Sequence, residues 1–253
     1  MPSSLTKQCI AELLGSFLVT FLSAGAICMD SFLQTSGQAG IGLLGIALAH
    51  AIGLLVAVTM TMNISGGYTN PAVTIGLLFV GKLETRQALS YVASQLLGAI
   101  LAGFFLTVIF GYAGNVVSSV ALGTPHSAEK LKTLFNRDMD IQLMAMSTLL
   151  ELLMTFLLTL AIFGTAIDKR TPRIGGVGVG LISLVIILFG YGFTGAAMNP
   201  ARYLGTGLWE AGISTNWGRL SDCYIYLIGP VLGAVLASWV YTSYVMNEPT
   251  ETN

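Results

Sequence analysis

The amino-acid sequence predicts an all-α membrane protein: six transmembrane helices plus two re-entrant half-helices in an inverted repeat. Three observations predict it. Of the 253 residues 54% are hydrophobic and 9% charged, where soluble domains carry about 25% charged residues, and the mean hydropathy is +0.79. Six apolar runs have the length an α-helix needs to cross a ~30 Å hydrocarbon layer. A loop signature, Gly66-Gly67-Tyr68-Thr69-Asn70-Pro71-Ala72-Val73, returns as Gly195-Ala196-Ala197-Met198-Asn199-Pro200-Ala201-Arg202.

Cys9 to Met29 is the first span. Ala24-Gly25-Ala26 is similar to a signal-peptide cleavage site. Glu12 inside the run, and the return of the segment later in the chain, favour a retained helix instead. Asp30 to Gln38 reads as a polar loop and Gly40 to Met62 as the second span. The first loop signature and its half-helix follow, then a charged turn from Gly81 to Arg86 and a third span from Ala88 to Phe110. Tyr112 to Asp140 is the longest polar connection. Ile141 to Ile167 is the fourth span, Asp168 to Arg173 a basic loop, and Ile174 to Phe193 the fifth span. After the second signature, Glu210 to Asp222 is polar and aromatic, Cys223 to Val245 is the sixth span, and a short tail starts at Asn247.

Asn caps a helix N-terminus, and Pro suits the first helical position because it has no N–H to leave unpaired. Each signature therefore starts a helix at its Asn. The first runs to Val80, about ten residues or roughly 15 Å, which is half the hydrocarbon thickness. The second ends near Trp209. Helices this short enter the layer and turn back, and their loops are tolerated only where they line a cavity or lie inside protein.

The chain repeats itself. Glu12-Leu13-Leu14-Gly15-Ser16-Phe17-Leu18-Val19-Thr20 matches Glu151-Leu152-Leu153-Met154-Thr155-Phe156-Leu157-Leu158-Thr159, and Leu97-Gly98-Ala99-Ile100-Leu101-Ala102 matches Leu232-Gly233-Ala234-Val235-Leu236-Ala237. One domain spans 1–253, with repeat one about 7–111, repeat two about 141–245 and 112–140 connecting them. An odd number of spans per repeat inverts the second relative to the first. The half-helices then meet tip to tip near the midplane. Small residues at Gly98/Ala102 and Gly233/Ala237 let spans approach closely. Lys7, Lys82, Arg86, Lys169, Arg170 and Arg173 fall on one side, and Lys130, Lys132, Arg137 and Arg219 on the other. That bias places both termini in the cytoplasm.

A net charge of −1 speaks against a nucleic-acid partner and a polybasic lipid anchor. The three cysteines, Cys9, Cys28 and Cys223, have no metal-ligand spacing, and an odd count rules out complete intrachain pairing. With two His and no His/Cys/Asp cluster, no metal site and no cofactor are expected. No nucleophile–base pair points to an enzyme.

The paired Asn-Pro-Ala loops, the repeat and the six spans resemble the aquaporin (major intrinsic protein) family over nearly the whole chain. The resemblance implies a passive channel for water and small neutral solutes in a lipid bilayer, without a cofactor. It also implies cytoplasmic termini and a homotetramer with one pore per subunit; the cell membrane is the expected location. A glycerol-conducting facilitator, a secondary transporter and a scaffold with a closed pore are the alternatives.

The central constriction is expected at Asn70, Pro71, Ala72, Asn199, Pro200 and Ala201. A helix N-terminus carries roughly half a positive charge, so two facing tips repel cations. Each Asn oxygen caps its helix and leaves the amide NH2 free to donate to a passing water, which interrupts proton hopping; the alternative is a cap and nothing more. Arg202 is the one basic residue in its membrane stretch, which marks a functional site. Its guanidinium is expected to line the pore, repelling cations and donating to water; a structural Arg bonded to loop carbonyls is the alternative, and the two roles can coexist. Glu12 and Glu151 sit at matching repeat positions. They are read as acceptors for re-entrant-loop N–H groups, which cost several kcal/mol each when unpaired, with a proton relay as the rival.

In aquaporin-like chains an outer filter is built from positions twenty before the first Asn, twelve and three before the second, and three after it, which here are His50, Ile187, Ala196 and Arg202. This set departs from the strict water filter, which has Phe and His at the first two positions. It looks more like plant vacuolar aquaporins that also pass ammonia. A packed core His is the other reading of His50. His126, within Thr124-Pro125-His126-Ser127, matches a loop motif of those proteins that reaches toward the filter Arg; a solvated loop His is the plainer reading. Tyr203 stands where glycerol-conducting relatives carry Asp, and Tyr226-Leu227 preserves half of an aromatic–Trp pair of water channels. Ala196 replaces a frequent mercury-sensitive Cys, so weak mercury inhibition is expected.

Overall fold

The structure, a computed structural model, describes residues 4–111, 121–127, 131, 135–136, 141–171 and 174–246. Lys130, Lys132, Arg137, Arg173 and the tail from Asn247 lie outside the described residues. Eight α-helices occur among those described: α1 (Leu5–Thr35), α2 (Gly42–Thr61), α3 (Pro71–Phe79), α4 (Thr85–Phe110), α5 (Ile141–Ile162), α6 (Gly176–Thr194), α7 (Pro200–Ser214) and α8 (Cys223–Val240). A π-turn extends α5 through Ile167 and another extends α8 through Val245. Six of these elements are long and apolar enough to cross a membrane, and α3 and α7 are the half-helices.

Several element ends differ from the sequence reading; α1 starts at Leu5 rather than Cys9, and α4 at Thr85, within the stretch read as a charged turn. The polar stretch after Met29 is helical as far as Thr35. Asp30 joins the helix because its carboxylate accepts Gln34 Nε2 at 2.8 Å and the backbone N–H of Gly42, the first residue of α2, at 2.8 Å. A negative group there also suits the helix N-terminus. The second half-helix runs past Trp209 to Ser214. Its polar Glu210 is buried against the loop, and the helix stops at left-handed Thr215. The first half-helix is shorter because Gly81 adopts φ +71° and the N–H groups of Gly81 and Lys82 return to the carbonyls of Leu78 and Leu77, a Schellman end.

The polarity of the molecule is turned inside out relative to a soluble protein. Ile52, Leu89, Val185 and Phe189 are exposed, while Glu12, Ser16, Gln95, Glu151 and Thr155 are fully buried. Such an apolar rim suits lipid. The largest apolar core lies among α2, α3, α5 and α6.

The repeats interlock. α1 packs chiefly on α4 and α5 on α8, but α3 packs on α8 and α7 on α4. Each half-helix thus leans on the last span of the other repeat. Glycines permit this. A Cβ on Gly98 would collide with the Leu13 carbonyl, and one on Gly233 with the Leu152 carbonyl. A Cβ on Gly76 would sit 2.8 Å from the Ala234 carbonyl oxygen, and one on Gly205 2.5 Å from that of Ala99. Gly76 and Gly205 each stand six residues after their Asn, so the contacts obey the repeat.

Candidate functional site

Two buried acids hold the two loops. Glu12 accepts the Ser65 hydroxyl at 2.6 Å, the N–H groups of Tyr68 and Thr69 at 3.0 and 2.7 Å, and Gln95 Nε2 at 2.6 Å. Glu151 accepts the Thr194 hydroxyl at 2.6 Å and the N–H groups of Ala197 and Met198 at 3.0 and 2.8 Å. Unpaired, those N–H groups would cost several kcal/mol each in an apolar setting. Each hydroxyl in turn accepts an N–H two residues on, from Gly67 and Ala196 respectively. A tyrosine completes each cradle: Tyr91 donates to the Ser65 carbonyl and Tyr226 to that of Thr194. Sequence reasoning missed this pair, although both tyrosines stand seven residues before the matching Gly98 and Gly233.

The half-helix tips meet. Asn70 Oδ1 accepts the N–H of Ala72 at 2.9 Å, and Asn199 Oδ1 accepts those of Ala201 and Arg202 at 2.9 and 3.3 Å. Pro71 and Pro200 occupy the first helical positions. The amides are not free as a whole. Asn70 Nδ2 donates to the Met198 carbonyl at 2.8 Å, and Asn199 Nδ2 to the Thr69 carbonyl at 3.0 Å. Each amide carries two N–H groups, so the opposite loop holds one and the second is left over. Thr69 and Met198 both have φ +52°, a left-handed backbone that costs about 1 kcal/mol in a residue with a Cβ. This conformation precedes each Asn directly and aims the carbonyl at the opposite tip.

A cavity of about 40 Å³ runs past these tips. At ~10–15 Å³ per water, that is room for about three. His50, Ile187, Ala196 and Arg202 all line it, together with Asn70 and Asn199. α2 and α6 run antiparallel, since Gly176 faces Leu55 and Thr59 while Gly180 faces Ala51 and Leu55. His50 and Ile187 therefore lie toward one end, and Val58 and Val179 toward the other. Counting from the opposite Asn by the same offsets, Val179, Val58, Gly67 and Val73 are the repeat counterparts of His50, Ile187, Ala196 and Arg202. Of these, the three valines also line the cavity. Ser23 and Ser183 add hydroxyls to the wall, contributions that the sequence reading did not single out.

Arg202 is 2% exposed. It lines the cavity, and among the described residues no carbonyl holds it: Nε, Nη1 and Nη2 have no hydrogen-bond partner there. His50 Nε2 has none either, while Nδ1 lies 2.9 Å from the Ile46 carbonyl oxygen.

His126 neither reaches Arg202 nor stands in solvent. Nε2 meets Glu210 at 2.8 Å, Nδ1 lies 3.8 Å from Asp222, and the cavity lining does not include it. Two carboxylates explain the difference, for they attract the ring away from a guanidinium. Burial opposes charging the ring, but the nearby Asp222 carboxylate and the hydrogen-bonded Glu210 outweigh it and raise the pKa to about 9. Tyr203 is fully buried, stacks on Tyr226 at 4.4 Å and donates to Asp222 at 3.0 Å.

The sequence profile of the family described as "Major intrinsic protein" matches residues 2–241. The chain is 36% identical to Aquaporin AqpM of Methanothermobacter thermautotrophicus, over 97% of this chain and 99% of that one. It is 34% identical to Probable aquaporin TIP3-2 of Arabidopsis thaliana, over 96% and 86%. The aquaglyceroporin from Plasmodium falciparum has a similar structure, with a TM-score of 0.82 at 23% identity, covering 96% of this chain and 97% of that one.

Proposed function

The chain belongs to the major intrinsic protein family, the aquaporins, and on that premise we propose that it is a passive pore for water and ammonia that excludes protons and ions. As a member it is a multi-pass membrane channel for water and small solutes. The observation that carries the finer reading is the Arg202 guanidinium, without a hydrogen-bond partner among the described residues, in the wall of a cavity with room for a few waters. An intramembrane cation lining a cavity offers its donors to whatever passes, and repels cations.

In this reading Asn70 and Asn199, with Pro71, Ala72, Pro200 and Ala201, form the central constriction. Each Asn keeps one N–H for a passing water, and the facing helix tips add positive potential. His50, Ile187, Ala196 and Arg202 form the filter. Small Ala196 and aliphatic Ile187 leave it wider than an aromatic wall does, which admits ammonia. Glu12 and Glu151 support the loops. The six-to-four bias of basic residues supports cytoplasmic termini, and in this reading the assembly is a homotetramer in the cell membrane. Glycerol conduction is the second reading; it is weakened by Tyr203, which packs away from the cavity.

Stopped-flow light scattering on proteoliposomes tests this with water, ammonia and glycerol side by side. Fast water flux with a low activation energy, together with ammonia flux above that of empty vesicles, is expected. Water flux equal to that of empty vesicles defeats the pore. Flux that saturates or needs a proton gradient points to a transporter instead.

A further inference from the structure

Counted by repeat position, the two ends of the cavity exchange polar for apolar side chains, with one exception. Ser23, His50 and Arg202 at one end correspond to Ile162, Val179 and Val73 at the other, and all six line the cavity. The exception runs the opposite way. Two residues before Asn199 stands Ala197, and two before Asn70 stands Tyr68; both line the cavity. Tyr68 belongs to the apolar end, because its neighbour Gly67 abuts α2 there: a Cβ on Gly67 would lie 2.9 Å from the Val58 carbonyl oxygen. Glu12 accepts the Tyr68 N–H at 3.0 Å, and the ring packs on the apolar core with its centroid 6.2 Å from that of Tyr91. The hydroxyl makes no hydrogen bond among the described residues. Unlike the Arg202 nitrogens it is not sealed from solvent, so a water can reach it. Gly66, at φ +104°, leaves room for it: a Cβ there would fall 2.6 Å from the phenol oxygen.

We propose that Tyr68 is a conductance-determining residue: its hydroxyl hydrates the apolar end of the cavity by hydrogen-bonding each water that passes between the Asn tips and that mouth. The proposal rests on the pore reading given above. A water moving from the tips toward this end meets Val58, Val73, Ile162 and Val179, whose side chains neither donate nor accept. Ser183 does not help it, because the antiparallel register of α2 and α6 sets that residue level with His50. A narrow apolar stretch tends to empty of water. A phenol hydroxyl gives one hydrogen and accepts others, so it can hold a water where the aliphatic wall cannot. The polar end has Ser23, His50 and Arg202 for this work and carries only Ala197 at the matching place. The bulky polar residue stands where the wall is otherwise dry.

The test is water flux per inserted chain in proteoliposomes of the full chain, measured by stopped-flow light scattering at several temperatures. Tyr68→Phe keeps the ring and its packing and removes the hydroxyl alone. It is expected to lower water flux about two- to tenfold, the worth of one hydrogen bond, and to raise the activation energy. A second variant adds Ile162→Ser to Tyr68→Phe. It sets a hydroxyl at the repeat position of Ser23 and is expected to recover most of the flux and the lower activation energy. Water flux unchanged in Tyr68→Phe overturns the proposal while leaving the pore standing. So does a loss with unchanged activation energy that Ile162→Ser leaves uncorrected, which would mark fewer open pores rather than a drier one. Wild-type flux equal to that of empty vesicles overturns the pore, and the role of Tyr68 with it.

Discussion

The two repeats agree where they hold backbone and disagree where they face the cavity. Glu12 and Glu151, Ser65 and Thr194, Tyr91 and Tyr226 make the same bonds to the two loops. At the cavity wall His50, Ile187 and Arg202 stand opposite their counterparts Val179, Val58 and Val73. Duplicated sequence built one scaffold twice, because a re-entrant loop in an apolar layer has few ways to pair its N–H groups. The wall has no such obligation, and its two ends have diverged into a polar one and an apolar one. Chemistry is to be sought in the differences between the repeats and stability in their agreement.

The largest expected effect breaks the agreement. Glu12→Ala and Glu151→Ala each strand a hydroxyl and two N–H groups and should cost about 3–5 kcal/mol or prevent folding. Glu12→Ala should be the worse, since Gln95 also loses its bond to the carboxylate and keeps only that to Thr74; the repeat equivalent of Gln95 is Pro230, which makes no such bond. Thermal unfolding in detergent reads both. An equal, negligible loss in the two variants would remove the cradle from the account.

Gly98→Ala and Gly233→Ala come next. Each pushes a methyl into a carbonyl of the neighbouring span, at about 1–3 kcal/mol. Similar losses in unfolding temperature are expected, and a strong inequality would show that the two helix pairs are packed differently.

The connecting loop has no counterpart elsewhere in the chain, and its effect is pH-dependent. The folded pKa of His126 is about 9, above the ordinary value near 6.5. Its charged pairing with Glu210 and Asp222 therefore stabilises fully below about pH 6.5 and is lost as pH rises through about 9. Tyr203 donates to the same Asp222 carboxylate. Wild type should lose stability between those pH values and His126→Gln should not, a difference of about 1–3 kcal/mol. Parallel pH curves would mean that the ring is not charged. The smallest effect belongs to the tyrosines, at about 0.5–1.5 kcal/mol per bond by thermal unfolding: Tyr226→Phe removes the bond to the Thr194 carbonyl, and Tyr91→Phe removes that to the Ser65 carbonyl together with contacts to Gln87 and Gln8.

Much of this was legible in the sequence. Hydropathy marks the spans because lipid leaves no choice about which side chains face outward, and two Asn-Pro-Ala copies mark the half-helices by cap chemistry. The four residues singled out by spacing do line one cavity. Helix ends were less legible. Asp30 and Glu210 look like loop residues until their partners are known: Gly42 and Gln34 for the first, His126 for the second. The remainder depends on meetings across long chain separations. Nothing local in the sequence reveals that Asn70 bonds the Met198 carbonyl, that Arg202 has no hydrogen-bond partner among the described residues, or that two acids draw His126 away from it.

The most direct measurement makes the two ends of the cavity alike. Glycerol flux is followed in proteoliposomes of wild type, of the double variant His50→Val with Arg202→Val, and of Val73→Ala at the apolar end. The account expects little glycerol flux in wild type and a rise of about tenfold or more in the double variant, as when a polar constriction is opened, with a change under about twofold in Val73→Ala. Selectivity would then reside at the His50 end. A double variant that passes no more glycerol than wild type, beside a Val73→Ala that does, would contradict it and move the filter to the other end of the cavity.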